Sequence, residues 1–160
     1  MKKLITVFWM FAVVGGLVFA VGTGEKPASQ SEEAVLEELV ALEGGTYVTW
    51  YGESDPTAYT ELYADKATYI GPGLEDKIED DAMQAFMMGA KGAIPKFYWE
   101  ILNPGVALYG DVAVFTFMLK TSDPKSKEET GLYQGTAIFT RDGGGWKKVH
   151  GHFSVPSLPP

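Results

Sequence analysis

The chain contains no cysteine and only two histidines among 160 residues. Without thiols there is no disulfide framework and no thiol nucleophile, so stability has to come from packing. The two histidines, His150 and His152, supply half of a zinc site at most, and no spacing points to further ligands. No metal and no cofactor are therefore expected. Basic residues are also scarce, 13 against 21 acidic, for a net charge of −8. Removing residues 1–20 takes away Lys2, Lys3 and no acid, which leaves 11 basic and 21 acidic residues and a net charge of −10. Such a surface repels phosphate backbones, so nucleic acid is not an expected partner.

Long apolar runs are missing except for one. Met1-Lys2-Lys3 is followed by an uncharged run from Leu4 to Phe19, with Val18-Phe19-Ala20 before a cleavage point. Residues 1–20 read as a secretory signal peptide. An uncleaved anchor is the alternative, because a run of about 18 apolar residues is near the minimum that spans a bilayer. No cysteine follows the run, which excludes a lipoprotein anchor. The expectation is an exported protein, periplasmic or extracellular, with no stable membrane insertion once the signal is cut. Residues 21–31 are small, polar and Gly/Pro-bearing, as in a flexible tether.

Residues 32–160 read as one domain, and a chain of this length buries about two-thirds of its unfolded surface. Ser31 caps a helix whose first turn carries Glu32 and Glu33. Leu36, Leu39, Val40, Glu43, Tyr47, Trp50 and Tyr51 share one mostly apolar face. Gly44-Gly45 weakens its middle, so either one bent helix or two shorter ones fit; the unbroken phase of the stripe favours one. Asp55-Pro56 opens a second helix ending near Asp65, with Asp55 as cap. Ala67 to Ile70 is a short strand stopped by Gly71-Pro72-Gly73. Glu79-Asp80-Asp81 introduces a third helix with Met83, Phe86 and Met87 on its buried side. From Ile101 onward, apolar β-branched and aromatic runs separated by Gly, Asp and Pro form an antiparallel meander. Gly143–Gly145 joins two strands and is a hairpin, not a phosphate cradle. The fold class is α+β.

Four segments in order carry a resemblance: Asp55-x-x-x-Tyr59-Thr60, Ile101-Leu-Asn-Pro104, Arg141-Asp142-Gly143 and Val149-His-x-His152-x-Ser154. With them the domain resembles the association (hub) domain of calcium/calmodulin-dependent protein kinase II, within the SnoaL-like, nuclear-transport-factor-like cone superfamily. The resemblance implies a long N-terminal helix and two shorter ones packed on a strongly curved, mainly antiparallel sheet. It also implies assembly of the chain with itself, into a dimer or a larger ring, through the sheet and the last strand. No kinase domain or calmodulin-binding segment accompanies it. Hub domains also hold a small carboxylate in a deep cavity with arginines and a histidine. Those positions fall at about Met83, Leu119, Thr136 and Phe153 here, which implies a largely apolar cavity suited to a small, fairly apolar ligand.

Simple alternation along the last strand puts Trp146, Lys148, His150, His152 and Ser154 on one face and Val149, Gly151, Phe153 and Val155 on the other. The family's parity turns the histidines away from the cavity, so His150, His152 and Trp146 are candidate interface residues. Tyr47, Trp50, Tyr51, Met83 and Phe117 are expected to border the pocket, with Leu119, Thr136 and Phe153. The competing reading is an enzyme, a SnoaL-like isomerase, cyclase or hydrolase acting on a small extracytoplasmic molecule. Its candidates are His150 or His152 as acid or base, and Glu100, whose alternation partners Tyr98 and Leu102 would then point inward. A binding and assembly module is the favoured reading.

Overall fold

The computed structural model describes residues 30–156. The signal-peptide segment and nearly all of the tether lie outside the described residues. Helix α1 (Glu32–Glu53) is a single helix. The Ser31 side chain accepts the Ala34 N–H at 3.2 Å, as an N-cap does. The helix runs unbroken through Gly44-Gly45 because tight packing there offsets poor propensity: a Cβ on Gly44 would lie 3.2 Å from the Trp99 ring. It stops at Ser54, whose left-handed backbone (φ 60°) turns its N–H onto the Thr49 carbonyl.

Helix α2 (Thr57–Leu62) is shorter than the sequence suggested. Asp55 supplies the capping chemistry, accepting the Thr57 N–H at 2.9 Å and the Thr57 hydroxyl at 2.6 Å. Strand β1 (Tyr63–Ile70) starts four residues before the expected Ala67, so Asp65 lies in a strand and not at a helix end. Its first residue, Tyr63, pairs with Lys148 of the last strand, a long-range contact invisible to local pattern. A two-residue strand β2 (Ile78–Glu79), also not anticipated, precedes α3 (Asp80–Gly89). In α3, Met83 and Met87 are buried but Phe86 is 51% exposed, which corrects its assignment to the buried side.

Four long strands follow: β3 (Tyr98–Tyr109), β4 (Val112–Ser122), β5 (Glu129–Asp142) and β6 (Gly145–Ser154). They form the expected meander, and the six-stranded sheet has the order β2-β1-β6-β5-β4-β3. All pairings are antiparallel except β1 with β6. The β5–β6 hairpin turns at Gly143-Gly144, both at positive φ, which only glycine adopts without strain. The inner face carries Phe115, Phe117 and Leu119 from β4 and Ala137 and Phe139 from β5, packed in one core with Val35, Leu39, Met83 and Met87. Fully burying each of the larger of these side chains stabilises the fold by about 1.5–3 kcal/mol.

The last strand does not alternate simply. On β5, Ile138 and Phe139 are adjacent, yet their partners on β6 are His150 and Lys148. Val149 is therefore an extra residue, a β-bulge, and side chains beyond it change face. Trp146 and Lys148 point inward, and so do Gly151 and Phe153, whereas His150 and His152 point outward. The expected common face for Trp146, Lys148 and the histidines is thus corrected.

Candidate functional site

A cavity of about 200 Å³ lies between the C-terminal half of α1 and the inner face of the sheet. Helix α1 supplies Tyr47, Trp50 and Tyr51 to its wall, and α2 supplies Tyr59. Tyr69 is the penultimate residue of β1 and Pro72 follows it at the wall, while Leu119, Tyr133 and Phe153 rise from β4, β5 and β6. Helical spacing explains the first group: Tyr47, Trp50 and Tyr51 are three and four residues apart on one face. The sheet residues are inward positions of neighbouring strands, with Leu119 directly opposite Tyr133.

Beneath this wall is the one fully buried ion pair among the described residues. Glu43 and Lys148 are both 0% exposed. The Lys148 ammonium donates to Glu43 Oε1 at 2.8 Å and lies 2.6 Å from Oε2. Tyr47 donates its hydroxyl to the same Oε1 at 2.7 Å. Oε2 thus has the charge beside it but no well-aligned hydrogen bond. The ammonium also stands 4.4 Å from the centre of the Tyr59 ring, 4.9 Å from that of Tyr63 and 5.6 Å from that of Phe139, so three aromatic faces share its charge. Burial pulls Lys148 below the ordinary lysine range, and the Glu43 carboxylate opposes that shift. Burial pushes the hydroxyls of Tyr47, Tyr59 and Tyr63 well above 10, and that of Tyr69 up to about 12. Every tyrosine of the group keeps its proton at neutral pH.

Of the residues proposed from sequence, Tyr47, Trp50, Tyr51, Leu119 and Phe153 come together at the cavity. Met83 is buried in the core away from it, and Phe117 stacks on Phe115 behind Phe153. Thr136 faces the opposite side of the sheet, beside Thr116 and Gln134. His150 and His152 are on that outer side too, where His150 Nδ1 lies 2.7 Å from the Thr68 hydroxyl. Burial, and secondarily His152, hold the His150 imidazole below its ordinary 6.5. Trp146 sits under α1, its Nε1 donating to Glu38 at 3.0 Å and its ring covered by Arg141 at 3.9 Å. Glu100 lies on the outer face and pairs with Lys120 at 3.2 Å; its neighbours Trp99 and Ile101, not Tyr98 and Leu102, are the inward pair.

Sequence reasoning missed Glu43 and Lys148 as a pair, and Tyr59, Tyr69 and Tyr133 as wall residues. The signal for the pair was present: Glu43 is the lone charge in the apolar stripe of α1. No group of three or more potential metal ligands occurs among the described residues. No helix among them is long and apolar enough to cross a membrane.

A family model described as a SnoaL-like domain matches residues 45–157, well over half of the chain. The chain belongs to the SnoaL-like domain family. Among curated proteins there is no significant match. Solved structures share the fold of this SnoaL-like domain widely. A candidate ketosteroid isomerase of Parabacteroides distasonis is similar at 25% identity and a TM-score of 0.66, over 76% of this chain and 88% of that one. The association domain of C. elegans CaMKII is similar at 22% identity and a TM-score of 0.63, over 78% and 98%. The S. rosetta CaMKII hub follows at 22% and 0.59, over 80% and 98%. Three helices on a six-stranded, mostly antiparallel sheet are thus the cone architecture of the nuclear-transport-factor-like proteins.

Proposed function

We propose that this SnoaL-like domain is an exported, non-kinase module that associates with itself through the outer face of its sheet and holds a small, largely apolar ligand in its cavity. The observation that carries the reading is the division of labour between the two faces of the sheet. The inner face closes an aromatic cavity whose nearest charges, Glu43 and Lys148, neutralise each other. The outer face carries Ala107, Val114, Met118, Leu132 and Ile138, half-buried apolar side chains not packed against the core, beside His150 and His152. A second copy of the chain is the occupant suited to that strip, and likeness to domains named for association supports it.

The enzyme reading draws on the likeness to a candidate isomerase. An acid–base role for His150 or His152 would require them to reach a substrate across the thickness of the sheet. Light scattering on the chain without residues 1–20, over a concentration series, tests the assembly reading. A dimer or larger species independent of concentration is the expected result. A monomer throughout overturns it.

A further inference from the structure

Three tyrosine hydroxyls at the cavity wall are unlike the others. Tyr47 donates to Glu43, and the hydroxyls of Tyr59 and Tyr63 are 3.3 Å apart. Tyr51, Tyr69 and Tyr133 have no hydrogen-bond partner among the described residues, although all three are half-buried. They come from three different elements, α1, β1 and β5, and converge on one cavity. Glycines make room for two of them. A Cβ on Gly131 would lie 2.8 Å from the Tyr133 hydroxyl, and one on Gly71 would collide with the Tyr69 hydroxyl. Side chains held in this way, with their donors unused, form a polar spot in an otherwise aromatic and aliphatic wall.

We infer that the cavity recognises an uncharged, single-ring molecule carrying a hydrogen-bond acceptor oxygen, which Tyr51, Tyr69 and Tyr133 grip while the rings of Trp50 and Phe153 pack against its body. The inference rests on the ligand-binding half of the function proposed above and names the ligand class. Size fits: a cavity of about 150 Å³ accepts benzene, so one of about 200 Å³ accepts a substituted ring. Charge fits as well. Among the described residues no unpaired cation lines the wall, since Lys148 lies beneath it and is bound to Glu43. A carboxylate would lose its hydration without a counter-charge. Burial keeps Tyr51 and Tyr69 protonated far above neutral pH, so they act as donors.

NMR titration of the purified protein with benzamide, benzoate and toluene tests this. The first two share a shape and differ in charge; the third has the ring without the acceptor. Benzamide should bind at least tenfold more tightly than benzoate. Tyr51→Phe and Tyr133→Phe should each weaken benzamide about three- to tenfold, the loss of one neutral hydrogen bond, and leave toluene unchanged. If toluene binds but benzamide gains nothing, or benzoate equals benzamide, the assigned ligand class is wrong and the cavity reading stands. If none of the three binds, the cavity reading fails and this inference falls with it. Unaltered circular dichroism of the two phenylalanine variants confirms that the comparison is made on folded protein.

Discussion

Removing one partner of the Glu43–Lys148 pair should destabilise the domain, and the two single substitutions should respond to pH in opposite directions. In Glu43→Leu, Lys148 remains fully buried with no carboxylate beside it. It escapes that state by losing its proton, which for a lysine of ordinary pKa 10.5 costs about 4.8 kcal/mol at pH 7 and about 2 kcal/mol at pH 9. In Lys148→Met the carboxylate keeps only the Tyr47 hydroxyl. Protonating a carboxyl of ordinary pKa about 4.3 costs about 3.7 kcal/mol at pH 7 and about 1 kcal/mol at pH 5. These values cap the electrostatic part of each loss, and they agree with the roughly 3–5 kcal/mol typical of a broken buried pair.

The signs follow from proton counts. Folded Glu43→Leu binds one proton fewer than its unfolded chain below pH 10.5, so its stability rises with pH. Folded Lys148→Met binds one more than its unfolded chain above about pH 4.3, so its stability falls as pH rises. The double variant Glu43→Leu/Lys148→Met leaves no orphaned charge and should lie within about 2 kcal/mol of the parent, because apolar replacement of buried pairs is often neutral or stabilising. Urea denaturation of all four proteins at pH 5, 7 and 9 measures this. Parallel pH profiles for the two single variants, or a double variant that loses the sum of both, would refute the reasoning.

Three further outcomes are expected. Alkaline titration should unfold the protein cooperatively, because tyrosines held above 10, with Tyr69 at about 12, contribute stability that is complete below pH 10 and lost as pH rises through their folded values; tyrosinate absorbance appearing gradually at pH 10 with the fold intact would contradict it. Gly135→Ala should destabilise by about 1–3 kcal/mol through overpacking, since its Cβ would meet the Phe117 ring at 2.7 Å; a neutral effect on the urea midpoint would show that Phe117 moves freely. His150, held below 6.5 in the fold, contributes stability that is complete above pH 6.5 and lost as pH falls through its depressed value; His150→Gln should flatten the acid limb of the stability profile below pH 6.5.

Much of this fold was legible because local chemistry and tertiary structure agree. Ser31 caps the first helix, glycines mark the β5–β6 hairpin, and apolar runs of strand composition become β3 to β6. Misreadings cluster where long-range pairing decides. Tyr63 to Asp65 read as the end of a helix, but they open β1, whose first residue Tyr63 pairs with Lys148 of the parallel β6. Phe86 has the spacing of a buried helical position, yet α3 is only ten residues long and buries a narrow stripe centred on Met83 and Met87.

The bulge at Val149 had the largest consequence for the site. Period-two reasoning carried from His150 places Lys148 beside the histidines, and carried from Phe153 it places Lys148 outside the core. The extra residue lets one strand bring Lys148 to the core, opposite Phe139, and still turn both histidines outward. Lys148 is then committed to an interior where it can survive only with a carboxylate, and Glu43 is the single charged position on the apolar face of α1 that meets it. The pair fixes how α1 sits on the sheet, and Tyr47 transmits that placement to the cavity wall through its hydrogen bond to Glu43. Deleting Val149 should therefore close the bulge and preserve both arrangements, because Lys148 and His150, then adjacent, would still face Phe139 and Ile138 from opposite sides of the strand.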